Sequence, residues 1–171
     1  MTGQFAVQIA LQSGLEVIAV TSSRTQALVE SLGAHTIIRD VKTNDEIVEE
    51  IRVVAGDRIT RALDLVGTDT APFCLQALSK SKPCLFTPLA MMKTQLVPHN
   101  VEVLTVEMKQ FVLDSSSTIY AEDLNLLIES GKIEPPELDI LKGGLSAVQG
   151  GLERLKKGDM GGKKIIVSWD T

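Results

Sequence analysis

The chain has 171 residues, 44% hydrophobic and 23% charged, which are the proportions of a folded globular protein and not of a disordered or fibrous one. Seventeen basic residues against 22 acidic ones leave a formal charge of −5, and no Lys/Arg cluster is dense enough to track a phosphate backbone, so no nucleic acid is expected as a partner. The length suits one domain over residues 1–171, able to bury roughly 68–70% of the surface its unfolded form exposes.

In chain order, Gln4–Gln12 reads as a largely buried helix carrying Phe5, Val7 and Ile9 and ended by Gly14. Glu16–Val20 is a short β-branched strand, and Thr21–Arg24 is a polar turn that caps a helix running to about Leu32. Thr36–Ile38 is the next strand, and Asp45–Val54 places Ile47, Val48, Ile51 and Val54 at helical spacing behind an Asn44 cap. Ala62–Val66 is a strand, Thr70–Ser79 a helix, and Cys84–Phe86 a strand. Further on come a strand at Val101–Val106, an edge segment at Phe111–Leu113 and a helix at Ala121–Ser130. A helix at Leu145–Lys157 and a strand at Lys164–Ser168 complete the pattern. Short strands alternating with helices of 8–12 residues predict an α/β fold, a parallel sheet flanked by helices.

The gaps between elements are as informative. Gln4, Gln8 and Gln12 interrupt the first apolar stretch, no basic region precedes it, and no apolar run reaches the ~18–20 residues of a membrane span. Cys74 and Cys84 lack a CxxC spacing and a neighbouring histidine, so reduced thiols, no metal and a cytoplasmic, membrane-free protein are expected.

Several segments then carry a resemblance. Gly3-Gln-Phe-Ala-Val-Gln-Ile-Ala10, Val17-Ile-Ala-Val-Thr-Ser-Ser23 and Leu28-Val-Glu-Ser-Leu-Gly-Ala34 come first. Leu63-Asp-Leu-Val-Gly67, Gly143-Gly-Leu-Ser-Ala-Val-Gln149 and Gly162-Lys-Lys-Ile-Ile-Val167 follow. In this order they resemble the medium-chain dehydrogenase/reductase family, especially its zinc-free quinone- and enoyl-reductase branch and the fungal trans-enoyl reductases. The resemblance implies a Rossmann-like domain lacking the usual first strand and the N-terminal catalytic domain. A missing central strand would orphan two rows of backbone groups, so either the flanking strands close up or another segment or chain supplies the strand.

The same resemblance assigns the candidate site. Gly3 matches the last glycine of the family's phosphate loop; the other loop glycines are absent, which weakens pyrophosphate binding. Ser22, Ser23 and Arg24 match the turn that receives the 2′-phosphate of NADPH, with simple helix capping as the alternative. Val66 and Gly67 match a loop near the nicotinamide, although Gly67 can equally serve a positive-φ turn. The stretch Leu89-Ala-Met-Met92 matches a second such loop, and apolar packing explains it as well. Lys163 matches a lysine that approaches the cofactor, with a surface role as the alternative. His35, His99 and Tyr120 form no nucleophile–base or metal spacing, so no catalytic residue is assigned.

Three functions compete on these residues. One is an NADPH-dependent enoyl or quinone reductase-like domain, truncated and weak or inactive alone, acting on an apolar or enone substrate. Another is a non-redox cyclase or isomerase of a biosynthetic pathway that uses an apolar pocket. The last is a partner-binding or assembly module, expected as a homodimer or strand-exchanged oligomer.

Overall fold

The computed structural model describes residues 2–90, 92, 96–158 and 160–169. The chain opens with helix α1 (Thr2–Gln12), followed by strand β1 (Ile18–Thr21), a 3-10 turn (Ser23–Thr25), α2 (Gln26–Ser31) and β2 (His35–Ile38). It continues through α3 (Asn44–Ala55), β3 (Arg61–Asp64), α4 (Ala71–Ala77), β4 (Cys84–Pro88) and β5 (Val101–Val103). The last third holds α5 (Met108–Leu113), α6 (Thr118–Glu129), β6 (Leu138–Lys142), α7 (Leu145–Lys157) and β7 (Lys164–Ser168).

All strand pairings are parallel: β1 with β2, β3 with β4, β4 with β5, and β6 with β7. Parallel neighbours need a crossover, and α2, α4 and α7 supply it for β1–β2, β3–β4 and β6–β7, whereas among the described residues no helix joins β4 to β5. Among the described residues β1 and β3 do not pair, so the sheet is interrupted between them and the flanking strands have not closed up.

Two apolar clusters hold the helices to the strands. Ala71, Leu75 and Leu78 pack with Cys84 and Phe86, and Phe86 has no exposed surface. Val7 of α1, Val29 of α2 and Ala34 form the other, with Leu11, Val17 and Ala19 around them. Burying a side chain the size of Phe86 or Leu75 contributes about 1.5–3 kcal/mol, so these clusters fix the helix positions.

The polar stripe of α1 has a different task. Gln4 donates to Gly162 O at 3.0 Å, Gln8 to Glu134 O at 3.0 Å and Gln12 to Lys132 O at 3.1 Å, while Gln8 Oε1 accepts from Glu134 N at 2.7 Å. Positions four apart share a helix face. The glutamines that interrupt the apolar run therefore clamp the C-terminal third onto α1, on either side of the buried Ile133.

Three sequence expectations are corrected, and one strand was not expected at all. Thr43, not Asn44, caps α3: its hydroxyl accepts from Glu46 N and the Glu46 carboxylate reaches back to Thr43 N, a reciprocal capping box. Phe111–Leu113 lies in helix α5 and not in an edge strand, and Phe111 N bonds Glu107 O at 3.0 Å. The strand expected to Val106 stops at Val103. Strand β6 escaped the pattern because Leu138, Ile140 and Lys142 are all exposed, so neither alternation nor a continuous apolar run marks it.

Candidate functional site

Six of the eight sequence-assigned residues lie just beyond the carboxyl ends of three strands. Thr21–Thr25 follows β1, Asp64–Thr70 follows β3 and Leu89 follows β4, while Gly3 stands at the first turn of α1. A Cβ on Gly3 would lie 3.1 Å from Leu65 Cδ1, so the glycine permits the close approach of α1 to the end of β3.

The loop after β3 is built around Asp64, which is 3% exposed. Its Oδ1 accepts from Val66 N at 2.9 Å and Gly67 N at 3.2 Å, and Thr70 Oγ1 lies 2.8 Å away. Gly67 has φ of +105°, a conformation that disfavours a side chain, and its carbonyl starts α4 by accepting from Thr70 N and Ala71 N. Val66 is thereby pushed outward, 61% exposed, at the sheet edge where open α/β folds place ligands. Asp64 escaped the sequence reading, although an aspartate three residues before a glycine is the signal for such a side-chain-closed turn.

The turn after β1 has a second missed partner. Ser23 N and Ser23 Oγ donate to Asp40 Oδ2 at 2.7 and 2.6 Å. Those bonds, with the charges of Arg39 and Arg24 adding to them, hold the Asp40 carboxyl below its ordinary range. Thus the donors assigned to a 2′-phosphate already serve a carboxylate, 17 residues on in sequence. Ser22 makes no capping bond; its hydroxyl lies 3.0 Å from Thr25 Oγ1.

Leu89 is 40% exposed, and its N–H bonds Asp64 O at 2.9 Å, tying the two loops together. Met91 lies outside the described residues, and Met92 packs against the α4–β4 cluster. Lys163 pairs with Glu137 at 2.6 Å. The loop before it returns to the site: a Cβ on Gly158 would stand 3.8 Å from Arg24 Nη2, and one on Gly162 would strike Leu28 and Gln4.

Other features stand apart. Burial, reinforced by the Asp64 charge, pushes the Cys74 thiol up to about 12. Cavities of about 900 and 930 Å³ open at the amino ends of β3, β4 and β5 and beside α3 and α4, lined by Arg52, Lys80, His99 and Asn100 among others, and none of the candidate residues lines them. Among the described residues no three His, Cys, Asp or Glu side chains group to hold a metal ion, and no helix is long and apolar enough to cross a membrane.

Parallel strands wrapped by helices, with loops converging at their carboxyl ends, define the class of open α/β nucleotide-binding folds. Residues 2–127 match the family model described as zinc-binding dehydrogenase, and the chain belongs to that family, within the medium-chain dehydrogenases/reductases. Relatives include the dehydrogenase azaJ of Aspergillus niger, 32% identical across 95% of this chain and 49% of its own length. The trans-enoyl reductase gkaC of Penicillium citrinum is 28% identical, across 96% of this chain and 51% of its own. Among solved structures, the CurK enoyl reductase superposes with a TM-score of 0.75 at 21% identity, over 97% of this chain and 51% of its own. A mycobacterial protein complexed with NADPH gives 0.75 at 15% identity, over 96% and 52%. The chain spans about half the length of the curated relatives it matches.

Proposed function

We propose that the chain supplies the nucleotide-handling half of an NADPH-dependent enoyl or quinone reductase and turns over little substrate by itself. The cofactor would carry the hydride, while Ser22, Ser23 and Arg24 would hold the adenosine end and Val66, Gly67 and Leu89 the nicotinamide end. Gly3 would let α1 approach the nucleotide, and Lys163 would close over it once released from Glu137. The supporting observation is the convergence of these loops on the carboxyl ends of β1, β3 and β4.

Calorimetric titration tests this reading. Micromolar NADPH binding is the expected result, and absence of heat at millimolar NADPH removes the reading. Asp40→Asn should tighten NADPH about fivefold to tenfold without changing NADH, because a like charge about one hydrogen-bond length from the phosphate donors is removed. Rapid NADPH oxidation by the pure chain on a simple enone would refute the low stand-alone activity.

Assembly into a homodimer or strand-exchanged oligomer is a second reading, supported by the C-terminal third. Leu138, Ile140, Leu145, Leu152, Leu155 and Trp169 are each at least 49% exposed, apolar side chains that a second copy would cover. Light scattering at micromolar concentration should give at least a dimer mass; a sharp monomer mass would count against it.

A further inference from the structure

We infer that the trough around the amino ends of β3, β4 and β5 binds an amphipathic carboxylate, a small molecule with an apolar body and one acidic head. The inference is independent of the nucleotide reading, because the candidate cofactor loops lie at the opposite, carboxyl ends of the strands.

The trough is made of two adjoining cavities. One of about 900 Å³ and one of about 930 Å³ share Lys80, His99 and Asn100, so they are continuous around the strand ends. Each is within the roughly 300–1,000 Å³ that small-molecule sites occupy. Their walls are tied to backbone. Arg52 of α3 donates to Gln76 O of α4 at 2.7 Å, and Asn100 Nδ2 donates to Ser79 O at 2.9 Å and Lys82 O at 2.7 Å. The first bond joins the two helices, and the other two join the turn after α4 to the start of β5.

The two halves differ in chemistry. The first has an apolar base of Val48, Leu75 and Leu78, which are 5%, 7% and 3% exposed. Leu96 lines the same half yet is 97% exposed, an apolar side chain that a bound hydrocarbon would cover. In the second half Arg61, Lys80 and Lys82 stand against Glu102 alone, a local positive excess in a chain of formal charge −5. Arg61 and Glu102 both register with Leu85 from opposite sides of β4, so their backbones stand two strand spacings apart, about 9–10 Å. Among the described residues Arg61, Lys80 and Lys82 enter no ion pair.

Orientation and head group follow from these charges. Asp45 and Glu49 on α3 repel an acid from the first half, so the head lies with Arg61, Lys80 and Lys82 and the body over Val48, Leu75 and Leu78. A phosphate is a poorer fit, because phosphate cradles draw on successive free backbone N–H groups. Those of the turn are taken: Lys80 N donates to Asp57, and Ser81 N and Lys82 N donate to Ser79 Oγ. Ammonium groups and a guanidinium fork are left, and the fork matches the two oxygens of a carboxylate.

Titration of the isotope-labelled full chain with octanoate, octanol or octylammonium, followed through the backbone amide signals by NMR, tests the inference. Octanoate should shift the signals of Lys80–Leu85 and His99–Glu102 saturably. Octanol should bind at least about tenfold more weakly and octylammonium not at all, since neither makes the charge-assisted bonds. Lys80→Gln combined with Lys82→Gln should weaken octanoate at least about tenfold, and Leu96→Ser about threefold. All three side chains are exposed, so these variants should fold. Equal binding of octanol, shifts confined to Ser22–Arg24 and Val66–Gly67, unchanged affinity of the folded double variant, or no saturable shift overturns the inference; the three ligands decide it if a variant fails to fold.

Discussion

Gln8 offers a direct measure of how α1 holds the C-terminal third. It is 8% exposed and exchanges two hydrogen bonds with the backbone of Glu134. Gln8→Leu preserves most of the volume but deletes both bonds and leaves the Glu134 N–H and C=O without their partner. Two net bonds at about 1 kcal/mol each, with part of the orphaning cost, predict a loss of about 2–4 kcal/mol. With a urea slope of about 1–3 kcal/mol/M, the midpoint should fall by roughly 1–2 M. Gln8→Glu sharpens the test, because a carboxylate still accepts from Glu134 N but opposes Glu134 O, whereas a carboxylic acid can donate to it. Burial and that carbonyl raise the folded-state pKa of the new group. Its stabilising bond is then present below the unfolded value of about 4.3 and is lost as pH rises through the folded value. Relative to the unmodified chain at each pH, Q8E should match Q8L at pH 7 and recover near pH 4. A Q8L midpoint unchanged from the parent, or a Q8E deficit independent of pH, would refute the reasoning.

Two further outcomes follow from the same geometry. Gly162 has φ of +87°, and a Cβ there would lie 2.5 Å from Leu28 Cδ2 and 2.6 Å from Gln4 Nε2. Gly162→Ala should therefore cost about 2–4 kcal/mol in urea unfolding, backbone strain and overpacking together, whereas Gly161→Ala, with open space around its Cβ, should cost only about 1–2 kcal/mol. Asp57 accepts from the Ser81 hydroxyl, Lys80 N and the Ser79 hydroxyl, which together bring its carboxyl down to about 2 from 3.8. A depressed acid stabilises above its unfolded value and loses that contribution as pH falls toward the folded one. Acid titration followed by circular dichroism should show stability declining between about pH 4 and pH 2, and Asp57→Asn should remove that part of the slope.

The fold was largely legible where periodicity was strong. Helices α1, α3 and α7 and strands β1, β2, β4 and β7 fall within a few residues of their sequence positions, because each combines an apolar period with a glycine or polar stop. Strand β6 was lost because it has no buried face, and α5 was misread because three consecutive apolar residues suit a strand as well as a helix. Of the site, the loops were assigned through resemblance, and those after β1, β3 and β4 follow the carboxyl ends of their strands. Asp64 was not singled out although its partners Val66, Gly67 and Thr70 follow it closely in sequence, whereas Asp40 acts through a turn closed only in space. Ser23 and Asp40 are 17 residues apart, and no local pattern joins them.

The amides of Gln4, Gln8 and Gln12 also work as a ruler. Successive amides stand about 6 Å apart along the helix axis, and each meets a backbone atom with a fixed address at Gly162, Glu134 or Lys132. A purely greasy contact would let the two surfaces slide by a residue at little cost, but here one step of slippage would break all three bonds together. The seating of the C-terminal third is thus single-valued, and with it the distance at which the Gly158–Gly162 loop stands from Arg24.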